Sequence, residues 1–467
     1  MTKIKLTTKS KNDLPDKYCR IILTEDKTSW HRLVETKTGQ LEYRMGVGKS
    51  KKINTRKFRT LVRSIVLAAK SHKLVNIVIE LDIEKYPLLA KSSQWFYQTL
   101  AENLALASYD FTKYKTDKDK EDLTEILVSG LSKPSDKKSF AIGLITGEAT
   151  NFTRDLANTS AEEMNPTALA KVAKSAVSDT KAVVRVLNHK RIKELKMGLL
   201  DAVGKGASDA PRLILIEYWG ASKKSAPIAL IGKGITYDSG GLNVKPTGGM
   251  HDMHMDMSGG AAVIGTMRAI AKLGLKKNVI ALIPAAENSI SAKSMRAGDI
   301  ATAMNGKTVE ILHTDAEGRM VLADAMTYAE KFYKPKTIID VATLTGAALV
   351  ALGQQTSAVL TKNKDLQTKL VDIGEETGDL MWPLPLWDEY KASLKSNRAD
   401  LSNIAVNFAR WGGCIEGGTF LSFFAPSKTP WAHIDMAPRM ESIPSDKLAK
   451  GATGEPVKAL VRFVEKN

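Results

Sequence analysis

Residues 308–332 read TVEILHTDAEGRMVLADAMTYAEKF, and the fold class follows from how this stretch is divided. TVEIL is a run of β-branched and aliphatic residues, the mark of a buried strand. GRMVLADAMTYAEKF repeats apolar residues at helical spacing. Between the two, HTDAEGR sets Asp315, Glu317 and Arg319 within five residues, just past the end of the strand. Carboxylates at that point favour a helix N-terminus, whose free N–H groups they complement. Strand exits are also where open α/β sheets bind their ligands. Taken alone, the segment leaves the capping reading and the ligand reading both open.

The same alternation extends outward. From residue 160 onward VVRVL, RLILIEY, PIALIG, NVIALIP, TVEIL and TIIDVA punctuate helix-like stretches. This pattern predicts a mainly parallel sheet covered by helices on both faces. Before residue 160 come a helix-like stretch over 58–70, a short strand VNIVIEL and a second helix-like stretch over 92–107. The polar run KYKTDKDKED follows and reads as a surface loop. NTSAEEMNPTALAK, with its Ser, Asn and Pro, marks a boundary and a new helix start. At 467 residues the chain exceeds one ordinary core. We therefore expect an α/β protein of two domains, each a mainly parallel, mixed sheet flanked by helices. They divide as residues 1–150, a boundary over 151–165, and a larger C-terminal domain over 166–467. The N-terminal third shows no residue cluster suited to chemistry.

Composition narrows the classes. A hydrophobic share of 43% beside a charged share of 25% is that of a globular protein. No apolar run approaches the roughly 18 residues of a membrane helix, and MTKIKLTTKSKND lacks the apolar core of a signal peptide. A cytoplasmic protein without membrane partners is the expectation. With only two cysteines, Cys19 and Cys414, a disulfide scaffold is excluded and a thiolate metal cage is disfavoured. Any metal must be held by oxygen and nitrogen.

The net charge of +17 permits an anionic partner, but lysines and acids interleave along most of the chain. The densest basic run is KSKKINTRKFRTLVR over 49–63, preceded by GVGKS, which looks like the end of a phosphate-binding loop. That motif needs a glycine five residues before Gly48, where Tyr43 stands, and no strong strand is expected to lead in. A solvated basic surface is the favoured reading, with nucleic-acid binding kept as an alternative.

The exits of successive strands collect chemistry. PIALIG runs into KGITYDSGGLNVKP, a glycine-rich connection carrying Lys233, Asp238 and Lys245. MHDMHMDMSGGAAVIG follows, with Asp252, His254 and Asp256 spaced by two, and HTDAEGR supplies the third exit. Asp238, Asp256, Asp315 and Glu317 clustered in one cleft would repel strongly unless cations neutralised them. Two divalent metals would do so, and oxygen-dominated ligation suits Mg²⁺, Mn²⁺ or Zn²⁺. A lysine can join such a site only as the neutral amine, a state that nearby dications and burial both favour.

GKGITYDSGGLNVKP, MDMSGGAA, HTDAEGRMVLADA and DVATLTGA, with the closing WAHIDMA and KGATGEP, resemble the leucyl aminopeptidase (cytosol aminopeptidase) family. The resemblance covers residues 150–467. It implies a two-metal site of Lys233, Asp238, Asp256, Asp315 and Glu317, with Asp238 and Glu317 bridging and Lys233 on the more loosely held ion. Asp256 is preferred to Asp252 because it begins the DMxGxAA pattern, and His251 and His254 would line or edge the cleft. Mn²⁺ or Zn²⁺ are the implied metals, with Mg²⁺ or Co²⁺ as alternatives. Lys245 would polarise the scissile carbonyl, and Arg319 would hold a bicarbonate acting as general base. Met253, Thr343, Leu344, Gly346, Ala437 and Met440 match positions around the amine and the first side-chain pocket. The activity implied is removal of Leu- or Met-like N-terminal residues from peptides by a water shared between the metals. The implied assembly is a homohexamer, a dimer of trimers.

This chain departs from the family at His313, where asparagine is usual, and at Tyr237, where phenylalanine is common. APRM over 437–440 sets a proline and an arginine where small or apolar residues are usual, which bears on side-chain preference. Two rival functions stand beside the main one. The first is a dipeptidase acting on substrates such as Cys-Gly, and the second is an added DNA-binding role for the basic run.

Overall fold

The computed structural model describes residues 2–7, 9, 14–28, 30–90, 92–116, 123–407 and 411–467. Residues 117–122 of the polar run lie outside them. The chain forms two compact units, Met1–Asn151 with Ser442–Lys450, and Phe152–Glu441 with Gly451–Asn467. The return of residues 442–450 to the first unit has no counterpart in the sequence reading.

The first unit holds β1 (Lys3–Leu6), β2 (Cys19–Thr24), β3 (His31–Glu35) and β4 (Leu41–Gly46). Next come α1 (Thr55–Ser71), β5 (Asn76–Glu80), α2 (Ser93–Ser108) and β6 (Glu125–Ser129), and the division between units falls inside α3 (Pro134–Asn158). The sheet order is β1-β6-β5-β2-β4-β3, parallel except for β3 against β4. A strand, β4, does lead into GVGKS, contrary to the sequence reading. Tyr43 lies inside that strand, however, and α1 begins only at Thr55, so no phosphate-binding loop forms. Asn54 starts α1 by accepting a hydrogen bond from the Lys57 N–H at 3.0 Å.

The second unit opens with α4 (Pro166–Ala176), β7 (Val183–Leu187), α5 (His189–Glu194), α6 (Gly198–Gly204) and β8 (Arg212–Trp219). It continues with β9 (Ile228–Gly232), β10 (Gly234–Asp238), α7 (Ser258–Leu273), β11 (Asn278–Asn288), β12 (Ile300–Thr302), β13 (Thr308–Glu310) and α8 (Gly318–Tyr333). The remainder is β14 (Thr337–Ala342), α9 (Gly346–Leu352), β15 (Ser357–Leu360), α10 (Lys364–Thr377) and β16 (Met381–Pro383). After these come β17 (Leu401–Ser402), α11 (Gly413–Ser422), β18 (Trp431–Asp435) and α12 (Val457–Lys466). Asn165 and Pro166 start α4 as the sequence predicts, the Asn165 side chain accepting from the Ala168 N–H.

The main sheet runs β16-β15-β18-β14-β9-β11-β8-β7, with β10 paired beside β11. Its centre, β18-β14-β9-β11, is parallel, while β8 and β7 add antiparallel pairs at one edge. Alternate residues of each strand enter two separate cores: Ile228 and Leu230 meet α4, α7, α10 and α12, whereas Ala229 and Ile231 meet α6, α8 and α11. Burial on both faces explains why these strands read as continuous apolar runs. TVEIL is the exception. Only Thr308–Glu310 is strand, and β13 joins β12 and β17 in a separate three-stranded sheet. Its Glu310 bonds Ser396 and Arg398 rather than entering an apolar layer. An apolar run announces a strand but not the sheet it enters.

Candidate active site

The parallel strands β9, β14 and β18 share one orientation, so their C-terminal ends open along one edge of the sheet. Lys233 follows β9, Asp238 ends β10, Thr343 follows β14, and Ala437 lies just past β18. Asp256 precedes α7, while Asp315 and Glu317 precede α8. GITYD, read from sequence as part of a loop, is the strand β10, and this delivers Asp238 rigidly. Gly259 and Gly260 bring α7 against the sheet; a Cβ on Gly260 would stand 2.8 Å from Ile283 and 3.0 Å from the Lys233 carbonyl.

All the predicted metal and catalytic residues line one cavity of about 750 Å³, and so do Met253, Thr343, Leu344, Gly346, Ala437 and Met440. His313 lines it as well, but His251 and His254, expected at its edge, do not. Arg439, which raised the question of pocket charge, turns elsewhere: it is buried, donates to Glu455 at 2.8 Å and reaches the Gln354 carbonyl. The pocket therefore keeps its apolar Met253 and Met440 without that guanidinium.

At the cavity floor Lys233 Nζ lies 2.7 Å from Asp256 Oδ2, 2.8 Å from Glu317 Oε1 and 3.1 Å from the Thr343 carbonyl. Lys245 Nζ lies 2.8 Å from Asp238 Oδ2 and 2.6 Å from Asp315 Oδ1. Burial draws the Lys233 ammonium down, but Asp256, Glu317 and Asp238 hold it well above the ordinary lysine range. Lys245 is raised by the same contest, with Asp238 and Asp315 outweighing burial. Asp256 is pushed up by burial against the opposing pull of Lys233. These two lysines are the cationic side chains in contact with the four carboxylates.

The donor set fits divalent ions. One oxygen each from Asp238, Asp315 and Glu317 falls within 4.8 Å of the others. Among the described residues, Glu317 Oε2 is buried without a hydrogen-bond partner, and Asp256 Oδ2 and Asp315 Oδ1 have an ion pair to lysine nitrogen but no hydrogen-bond partner. Hard oxygen atoms left short of donors are suited to Mg²⁺, Mn²⁺ or Zn²⁺.

Several residues that support this cluster escaped the sequence reading. Asn288 ends β11 and donates to both Asp238 Oδ1 (2.8 Å) and the Thr314 carbonyl (3.0 Å). Thr314 and Asn243 exchange hydrogen bonds that join HTDAEGR to the glycine-rich loop. Asp435 ends β18 and accepts from Leu344, Thr345 and Ala437 N–H groups and from the Thr345 hydroxyl. Both Asn288 and Asp435 sit at strand exits, so inspecting every exit would have found them.

Arg319 already has a carboxylate beside it. Its Nη1 donates to the Asn403 carbonyl at 2.7 Å and to Glu416 Oε1 at 3.1 Å. Only Nη1 is engaged, and Nε has no hydrogen-bond partner among the described residues, so what opposes a bicarbonate here is the charge of Glu416 already fixed beside the same guanidinium. The basic run is also divided. Arg59 and Arg63 are buried, Arg63 donating to Asn103 and to the Asp446 carbonyl, while Lys49, Lys51, Lys52 and Lys57 are exposed. No helix among the described residues is long and apolar enough to cross a membrane.

Comparison with known proteins gives a consistent result. Residues 151–461 match the family model "Cytosol aminopeptidase family, catalytic domain", and residues 43–118 match the corresponding N-terminal domain. The "Probable cytosol aminopeptidase" of Paraburkholderia xenovorans (strain LB400) is 40% identical over 426 residues, covering 90% of this chain and 82% of that protein. Its namesake in Burkholderia pseudomallei (strain 668) is 40% identical over 428 residues, with the same coverages. Among solved structures, "Bottromycin maturation enzyme BotP in complex with Mn" superposes with a TM-score of 0.85 at 28% identity, over 99% of both chains.

Proposed function

The chain belongs to the cytosol aminopeptidase family, a family of metal-dependent aminopeptidases, and on that premise we propose which residues hold the metals and carry the reaction. Lys233, Asp238, Asp256, Asp315 and Glu317 would hold two divalent ions. The observation that carries this reading is the convergence of four carboxylates and two lysines on one cavity floor, with carboxylate oxygens left short of hydrogen bonds. Mn²⁺ or Zn²⁺ are favoured, and the solved structure of BotP in complex with Mn supports the former.

When bound, such ions polarise the scissile carbonyl and acidify a water enough for attack near neutral pH. The protein's own groups do the rest. Lys245, charged and at the cavity wall, offers its N–H donors to the oxyanion that forms on the carbonyl. The acidic floor selects a free N-terminal amine. Met253, Leu344 and Met440 provide an apolar wall for the first side chain, favouring leucine- and methionine-like residues. One methylene there is worth only about 1–3 kcal/mol, so specificity is broad.

A homohexamer is part of this reading. Val350 and Trp411 stand 88% and 87% exposed, as apolar side chains awaiting a partner surface would. Relative rates on Leu-Gly, Cys-Gly and N-acetyl-Leu-Gly test the substrate assignment. Leu-Gly should be fastest and the acetylated peptide inert. A faster Cys-Gly reaction would make the protein a dipeptidase of that type instead.

A further inference from the structure

We infer that Glu416 supplies, from the chain itself, the carboxylate that the reaction needs beside Arg319, so that turnover requires no external anion. This rests on the aminopeptidase reading of the site. Glu416 lies in the first turn of α11 and lines the same cavity as the carboxylate cluster, its side chain only 11% exposed. One oxygen is fixed by Arg319 at 3.1 Å. The other, Oε2, has no hydrogen-bond partner among the described residues.

Arg319 is fixed in turn. Its Nη1 also holds the Asn403 carbonyl, and Asn403 anchors the start of HTDAEGR through the Leu312 and His313 N–H groups. The helix bearing Glu416 packs closely on its neighbours. A Cβ on Gly417 would stand 2.9 Å from Leu344, and one on Gly418 would stand 2.7 Å from Leu360, so α11 is pressed against the cavity wall. The ion pair occupies one Glu416 oxygen through Arg319 Nη1 and leaves the other open toward the cavity. A carboxylate oxygen free to take a proton, on a side chain held in place by its other oxygen, is what a built-in proton carrier requires.

The proton balance closes without a co-reactant. The attacking water gives a proton to Glu416 Oε2 as its oxygen bonds to the carbonyl carbon. The same proton passes to the departing nitrogen as the C–N bond breaks, and the carboxylate is restored. Arg319 keeps Glu416 aimed throughout.

The test compares metal-loaded wild type, Glu416→Ala and Glu416→Gln on leucine p-nitroanilide, in CO₂-free buffer with and without added bicarbonate. Thermal melting and metal content check the fold. Wild type should be indifferent to bicarbonate. Glu416→Ala should lose on the order of 10²-fold in kcat with KM little changed, and recover at least tenfold of it with bicarbonate, which can then enter beside Arg319. Glu416→Gln should lose activity without recovery, since the amide still fills the place. A several-fold stimulation of wild type by bicarbonate would overturn the inference even if neither variant folds. So would a Glu416→Ala loss that bicarbonate does not recover. Absence of metal-restored activity in wild type would instead sink the aminopeptidase assignment, a distinguishable failure.

Discussion

Gly318 faces Lys233 so closely that a Cβ on it would stand 2.5 Å from Lys233 Cε and 2.7 Å from Nζ. The lysine cannot yield cheaply, because it is 3% exposed and tied to Asp256, Glu317 and the Thr343 carbonyl. Gly318 is thus the space that lets a long amine reach the cluster. Gly318→Ala should weaken metal binding by about 10- to 100-fold, the usual cost of disturbing what orients a ligand. Titration of metal-stripped protein with Mn²⁺ reads this directly, and unchanged affinity would mean that Lys233 is not a ligand.

Asp435 holds both walls of the side-chain pocket. It accepts from Leu344 N–H at 3.0 Å, from the Thr345 hydroxyl at 2.7 Å and from Ala437 N–H at 3.2 Å. Asp435→Ala leaves those partly buried donors without their acceptor, at up to about 1–3 kcal/mol each. We predict a KM raised by about tenfold on leucyl substrates, corresponding to about 1.4 kcal/mol, with weaker discrimination between leucine and alanine. A loss confined to kcat would contradict a pocket-shaping role.

Asp324 is buried in α8 and accepts from the Leu199, Leu200 and Met304 N–H groups at 2.8–3.0 Å. Truncation to alanine strands all three donors. Asp324→Ala should cost about 3–5 kcal/mol of stability, read as a lower urea midpoint, while Asp324→Asn should cost less because its amide oxygen still accepts. Equal costs for the two variants would contradict the hydrogen-bond account.

His433 pairs with Asp340 inside β18 and β14, Nδ1 to Oδ1 at 2.5 Å, fully buried. Burial pulls the imidazolium down, yet the Asp340 charge and hydrogen bond raise its pKa above the ordinary histidine value. Because the folded value exceeds the unfolded one, the native state holds this proton longer. The stabilisation is complete below about pH 6.5, the unfolded value. It is lost as pH rises through the folded value, each unit of separation being worth about 1.4 kcal/mol. The urea midpoint of wild type relative to His433→Asn should therefore narrow from pH 6 toward alkaline pH. A difference independent of pH would show that the pair does not titrate.

Much of this was legible in the sequence, for identifiable reasons. Strands buried on both faces, such as Ile228–Gly232 and Thr337–Ala342, announce themselves as unbroken apolar runs, and Asn165-Pro166 states a helix start in local chemistry alone. The carboxylates and lysines of the floor stood out because they recur at three successive exits, whereas helix capping would explain acidic residues at one exit but not lysines gathered with them. What failed was non-local. Whether TVEIL joins the large sheet or a small one depends on which neighbours are already paired. GITYD looked like a loop because its glycine and polar residues hide a strand that exists only beside β11. Glu416 carried no signal, since a lone glutamate among glycines reads as surface until Arg319, 97 residues away in sequence, is found beside it.

Whether this cluster is a metal-dependent aminopeptidase centre is decided by hydrolysis of leucine p-nitroanilide. Metal-stripped protein would be re-supplied in turn with Mn²⁺, Zn²⁺, Co²⁺ and Mg²⁺, beside Asp315→Ala and an N-acetylated substrate. Activity should return with metal, reach its maximum at two ions per chain, ignore the blocked substrate and be lost in the variant. Folded protein that binds two ions per chain yet cleaves no unblocked substrate, or Asp315→Ala that retains full metal-restored activity, would refute the assignment.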